Sequence, residues 1–188
     1  RQIVDTAYNR GMTEDVEVPS PFPANILGSG SSSPLQMASV FGAIANSGQQ
    51  CTPQSIESVT DRDENVLKEF SADCKEVISA DVANKTAALL TASAGQYYTS
   101  TRLGDGRPFA AKSGTTDGHA NTWLTGFTPS VVTSAWVGHG ANSSQEVGSV
   151  ILNGKYYGEI YGETFVGQNH RETYMTQIIA GTPVEKES

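Results

Sequence analysis

An α+β fold, with helices packed against an antiparallel sheet, is predicted by three observations. The 188 residues are 37% hydrophobic and 17% charged, the balance of one globular domain with its own core. The first half carries segments with helical spacing and recognisable start and stop signals. From Pro108 onward, two apolar β-prone runs are joined by so short a Pro-containing turn that an antiparallel hairpin is required.

The chain opens on "RQIVDTAYNRGM", where Ile3, Val4, Ala7 and Tyr8 share helical spacing and Gly11 is a stop. No N-cap precedes it, so the sequence is expected to begin inside a helix, as a piece of something longer. The Pro-, Gly- and Ser-rich stretch 13–32 reads as a long connection. Ser33 then caps a helix with Pro34 at its first position and Gln36 at capping-box spacing. That helix is apolar or small nearly all round, stops at Gly48 and is expected to be buried. "SIESVTDRDENVLKEF" reads as a hairpin pairing Val59 with Val66, which sets Glu57 opposite Lys68. A helix over 79–93 follows, capped by Ser79, with Val82, Thr86, Leu89 and Leu90 on one face. Then come the strands "PFAAKSGTT", "TWLTGF" and "VVTSAWVGHG", the last two around the "TPS" turn. Residues 141–167 are Gly- and Tyr-rich and receive no assignment. "NHRE" opens a final helix with Tyr174, Ile178 and Ile179 on one face, ended by Gly181 and Pro183.

Composition narrows the function. A net charge of −8, with Lys and Arg scattered singly, offers no basic stripe for nucleic acid. His119, His139 and His170 lie far apart without cysteine or carboxylate at ligand spacing, so no metal site and no cofactor are expected. No apolar run approaches the length of a membrane span, and no basic-then-apolar leader opens the chain.

The chemistry concentrates in "KSGTT", residues 112–116. On a strand, alternation sends Lys112 and Gly114 to one face and Ser113 and Thr115 to the other. The missing side chain at Gly114 lets a ligand backbone lie close along the strand edge, where a peptide adds as an extra strand. The hydroxyls suit a carboxylate, and Lys112 supplies positive potential. The competing reading is a lysine that merely protects a sheet edge from aggregation. Taken alone, a Lys-Ser/Thr-Gly tripeptide arises by chance in about one such chain in ten, so its neighbours must decide.

Those neighbours resemble the penicillin-binding proteins, specifically the transpeptidase domain of the bifunctional class A type. "KSGTT" followed by "TWLTGFTP" and "AWVGHG" looks like that family's lysine-threonine-glycine strand and its Trp-bearing return hairpin. Upstream, "LGSGSSSPLQMASVFGAIANSGQQCTPQSI" resembles the family's Ser-Pro-Leu helix, Ala-Asn-x-Gly stop and following strand. The resemblance covers essentially all of residues 1–188, with Ser113 in place of the commoner threonine.

The resemblance implies a serine D,D-transpeptidase that cross-links peptidoglycan stem peptides ending in D-Ala-D-Ala, through an acyl-enzyme that β-lactams trap. Lys112 would tune protons and potential, Ser113 and Thr115 would hold the terminal carboxylate, and the Thr115 N–H would be one of two oxyanion donors. Gly114 and Thr116 complete the substrate strand, Thr116 with a weaker case; Trp123 is read as core rather than cleft wall. The family's Ser-x-x-Lys and Ser-x-Asn elements do not occur in these 188 residues. In the family both lie N-terminal to this region, so the sequence reads as the C-terminal portion of the domain, inactive alone and completed by the rest of it. A serine β-lactamase and a non-catalytic transpeptidase-like scaffolding module are the alternatives. An extracytoplasmic, membrane-anchored protein is implied, with its anchor outside this sequence. Cys51 and Cys74 sit nearly equidistant from the centre of the Asp61–Asn65 turn and are expected to form a disulfide rather than remain two buried thiols.

Overall fold

The computed structural model describes residues 30–97, 107–140, 144–152 and 154–163. The helices expected at the two ends of the chain, and most of the 13–32 connection, lie outside them. Within them the α+β architecture is as predicted: two helices and four antiparallel sheets, of which a three-stranded one is central.

Helix α1 spans Pro34–Ala45. The capping box forms in full: Ser33 Oγ accepts from the Gln36 N–H at 3.2 Å, and the Ser33 N–H donates to Gln36 Oε1 at 2.9 Å. At the other end Asn46 is the cap, and Ser47 takes the left-handed conformation at φ 48°. The Gly48 N–H then returns to the Ala43 carbonyl at 2.7 Å. Expected to be buried, the helix is instead mostly half-exposed, with Ala43 its buried residue and Leu35 open to solvent. Its low polarity does not distinguish a buried helix from one that covers the sheet with a single side.

The chain next forms an arm of two short ladders. Strands β1 (Gln49–Cys51) and β4 (Cys74–Glu76) pair antiparallel with Cys51 directly opposite Cys74, and the expected disulfide joins them with Cα atoms 3.9 Å apart. Beyond it β2 (Ser58–Thr60) pairs with β3 (Val66–Glu69). The expected Val59–Val66 register is wrong: Val59 faces Lys68, Thr60 faces Val66, and the ladder shifts between them. Glu57 accordingly meets Phe70, whose N–H it accepts at 2.9 Å. The turn explains the slip. Asp61 Oδ1 accepts from the N–H groups of Asp63 and Asn65, and Glu64 adopts φ 64°, which closes a three-residue loop and sets Thr60 opposite Val66; Leu67 is then the extra residue at the shift beyond it. The Asn65 side chain, followed by its N–H, holds the Asp61 carboxyl below its ordinary range. Breaking the disulfide with Cys51→Ser and Cys74→Ser is expected to lower stability by about 3 kcal/mol, since it closes a loop with a sequence separation of 23. Urea titration of the oxidised and double-serine proteins, with equal m-values, checks this; equal midpoints would refute it.

Helix α2 runs over Ala80–Tyr97, farther than the expected 79–93. The Ser79 carbonyl accepts the Ala83 N–H at 3.0 Å, and Asp81 pairs with Lys85 one turn on. Among its described side chains the buried ones are Ala83 and Ala94, with Leu90 partly covered between them, whereas Val82 is exposed and Leu89 is 71% exposed. The inward face is therefore not the one the large apolar residues mark. Alanines let the helix approach β5 closely, and burial of Ala94 among Phe109, Ala111 and Leu124 draws the helix onward past Ser93.

The central sheet has the order β5 (Ala110–Thr115), β6 (Asn121–Phe127), β7 (Val132–Gly138). The expected "TPS" turn joins β6 to β7, with the Thr128 N–H on the Val131 carbonyl and Thr128 Oγ1 accepting the Val131 N–H. Leu124 is 1% exposed and contributes about 2 kcal/mol by burial. Val131, Ala135 and Val137 complete its cluster. A further hairpin, β8 (Gly148–Leu152) with β9 (Lys155–Glu159), occupies the stretch left unassigned. "NG" at 153–154 between two β-prone runs was the overlooked signal, and Gly154 has the φ of 79° that such a turn requires.

Candidate active site

Among the described residues strand β5 lies at an edge of the central sheet, and its register fixes what each face carries. Lys112 faces Thr125, which faces Ser134; Gly114 faces Trp123, which faces Trp136. Alternation therefore places Lys112, Gly114, Trp123, Thr125, Ser134 and Trp136 on one face. Ser113 faces Leu124 and Thr115 faces Thr122, so both hydroxyls stand on the opposite face, that of the Leu124 cluster. The split expected for Lys112 and Gly114 against Ser113 and Thr115 is the one observed.

On the lysine face, α1 meets the sheet at the Phe127–Val132 end. The rings of Phe41 and Phe127 meet edge to face with centroids 6.4 Å apart, and the Val132 side chain abuts Gly42. Below this end Thr125 is buried, its hydroxyl 2.8 Å from that of Ser134. At the other end Lys112 is exposed, and Gly114, Trp123 and Trp136 are half-buried. Trp123 thus stands on the opposite face from the Leu124 cluster, beside Gly114, rather than in the core. Its ring tilts against Trp136 at 6.3 Å, and Trp136 Nε1 donates to Asn121 Oδ1 at 3.0 Å, which fixes the pair.

Lys112 Nζ donates to the Ser113 carbonyl at 2.9 Å, and among the described residues it forms no ion pair. Its charge is therefore not neutralised by a neighbouring described carboxylate. Gly114 is informative for what does not require it. Its φ is not left-handed, and a Cβ there would lie 3.6 Å from Trp123 Cβ, an ordinary contact. Glycine weakens a strand by about 0.5–1 kcal/mol relative to alanine, and neither backbone nor packing among the described residues offsets that cost.

Past Thr115 the chain turns through a 3-10 segment, Asp117–His119. Thr116 holds this turn: its N–H donates to the Asn121 carbonyl at 3.0 Å, and its hydroxyl accepts the Asn121 N–H at 2.9 Å. His119, at φ 52°, sets its ring 4.4 Å from that of Tyr161. The Tyr161 hydroxyl donates to Glu159 Oε2 at 2.6 Å, and this bond, with burial and the acidic charge nearby, pushes the phenol up from its ordinary range. The next residue, Gly162, donates its N–H to Thr115 Oγ1 at 3.0 Å. His119, Tyr161 and Gly162 were not singled out from the sequence as site residues, because nothing in local spacing ties residue 162 to residue 115. Cys51 and Cys74 belong to the separate arm. Among the described residues no group of histidines, cysteines and carboxylates could hold a metal.

The family model for the penicillin-binding protein transpeptidase domain matches residues 10–153, so the chain belongs to the penicillin-binding protein transpeptidase family. Within that family its relatives include class A proteins, penicillin-binding proteins 1A and 1B. Penicillin-binding protein 1A of Mycolicibacterium smegmatis is 31% identical over 181 residues, 93% of this chain and 22% of that protein. The 1A protein of Aquifex aeolicus is 31% identical over 124 residues, 66% of this chain and 17% of that protein. The chain thus spans about a fifth of the length of these curated relatives. Among solved structures, Mycobacterium tuberculosis PonA1 in complex with penicillin V is 26% identical, with a TM-score of 0.80 over 98% of this chain and 51% of that one. Penicillin-binding protein 1A of Haemophilus influenzae, at 21% identity and a TM-score of 0.72, shares the fold.

Proposed function

We propose that this chain supplies the substrate-binding strand of a peptidoglycan D,D-transpeptidase, whose serine nucleophile and its base come from a part of the protein outside these 188 residues. The observation that carries the reading is the edge strand itself. A glycine that no described neighbour requires separates an exposed lysine from a threonine, and two hydroxyls line the other face of the same strand. A peptide ending in D-Ala-D-Ala, or a β-lactam, lies along β5 where Gly114 leaves room. Ser113 and Thr115 hydroxyls donate to its terminal carboxylate, and Lys112 supplies positive potential. The similarity to a structure with bound penicillin V supports β-lactams as ligands.

In the reaction, the serine oxygen attacks the penultimate D-Ala carbonyl while its proton passes to the base. The tetrahedral oxyanion is met by two backbone N–H groups, that of Thr115 and that of the serine; one such donor contributes about 3 kcal/mol to the transition state. Collapse expels the terminal D-alanine, which takes up the proton. An amine of a second stem peptide then attacks the ester, and its proton passes through the base to the departing serine oxygen, so one peptide bond is broken and one is formed. Thr116 borders this strand and keeps its turn in place. The protein acts outside the cytoplasm, anchored to the membrane by a segment beyond this chain, and the disulfide suits that compartment.

Intact-mass spectrometry after incubation with benzylpenicillin tests the reading on two samples. The full-length protein is expected to gain one penicilloyl group on a serine outside residues 1–188, and the 188-residue chain alone to gain none. No adduct on the full-length protein would point to a non-catalytic module. A stoichiometric adduct on the isolated chain would mean the nucleophile is misplaced.

A further inference from the structure

The hydrogen bond from Gly162 to Thr115 links the substrate strand to a segment far away in sequence. Ile160, just before it, is 1% exposed and anchors the segment in the interior. Tyr161 fastens it a second time, through its ring against His119 and its hydroxyl on Glu159. Gly162 itself is buried over the Gly114–Trp123 pair. A Cβ there would lie 2.4 Å from the Trp123 carbonyl oxygen and 2.6 Å from that of Gly114. Both are backbone atoms of paired strands, so neither yields without moving the sheet. The bare glycine is thus what allows its N–H to come within 3.0 Å of Thr115 Oγ1.

A threonine hydroxyl has one proton to give and two lone pairs to receive. An N–H donor on one lone pair forbids the hydroxyl proton from pointing that way and turns it elsewhere. From these contacts we infer that Gly162 is a positioning residue for carboxylate recognition: its N–H orients the Thr115 hydroxyl as a donor to the terminal carboxylate of substrate or β-lactam. The inference rests on the transpeptidase reading above, and adds to it a residue from outside the KSGTT strand. Because the Thr115 N–H belongs to the same peptide segment, Gly162 also steadies the end of the strand that meets the oxyanion.

The test uses the full-length protein and compares acylation by benzylpenicillin with acylation by its methyl ester, which lacks the carboxylate. The wild-type protein should acylate faster with the acid. In Gly162→Ala the ratio of acid to ester rate constants should fall about tenfold, as it should in Thr115→Val, and the double variant should fall no further than either single one. Where Gly162→Ala does not fold, replacing Gly162 with glycolate, which turns the N–H into an ester oxygen without adding a side chain, should lower the same ratio. A ratio unchanged by these variants, or equal losses for acid and ester, would overturn the positioning role while leaving the transpeptidase reading in place. A full-length wild-type protein that neither ligand acylates would overturn that reading itself, and this one with it.

Discussion

Replacing Lys112 with alanine in the full-length protein is expected to slow acylation by benzylpenicillin about 100-fold or more, at a thermal midpoint within about a degree of the wild type. The two halves of that expectation have separate causes. Lys112 is exposed and its ammonium donates to the carbonyl of its own neighbour, so its loss costs little stability, as for other surface substitutions. On the proposed reading, however, its charge belongs to the strand that receives a carboxylate and meets a developing oxyanion, and there a cation would act on the transition state more strongly than on the resting enzyme. A lysine kept only to guard a sheet edge would give the reverse, with unchanged acylation and a protein more prone to aggregate. Stopped-flow acylation rates and a melting curve on the same preparation separate the two; unchanged kinetics in a folded variant would return Lys112 to the protective role.

Substituting Gly48 with alanine should have the largest effect on stability, a loss of about 3 kcal/mol or more, seen as a melting midpoint lowered by about 10 °C. Gly48 sits at φ 90°, where a side chain is strained, and its Cβ would fall 2.0 Å from the carbonyl oxygen of Ile78. The backbone there is already committed. The Gly48 N–H closes the end of α1, and its carbonyl accepts the Val77 N–H at 2.9 Å just before α2 begins. One residue thus joins the ends of both helices, and relief of the clash has to break one of those bonds. A Gly48→Ala protein within about 1 kcal/mol of the wild type by urea unfolding would show that the loop before α2 adapts freely.

What could be read from the sequence and what could not follow a physical line. The capping box at Ser33, the "TPS" turn and the split of KSGTT between two faces are each decided within a few residues, and all appear in the structure. The register of the outer arm was lost because it depends on the three-residue loop that the Asp61 side chain and Glu64 close and on an extra residue beyond it, neither of which a count of apolar positions reveals. The inward face of α2 was missed for a different reason. Leucine and valine mark a face only when there is room for them, and close packing against β5 selects Ala83 and Ala94 instead. Trp123 was placed in the core on residue type, whereas its face is set by pairing with Gly114 and Trp136. The candidate strand was therefore legible, but the contact from Gly162 was not, since 47 positions separate donor and acceptor and only the folded chain brings them together.

The staple between Cys51 and Cys74 has a topological meaning as well. With that bond closed, residues 51–74 form a covalent ring, and the exposed strands β2 and β3 lie wholly inside it. A protease that cuts anywhere on the far side of the ring opens it without severing the molecule. The two pieces travel as one in a denaturing gel until a reducing agent is added, and the strand that carries Lys112 stays attached to everything before it.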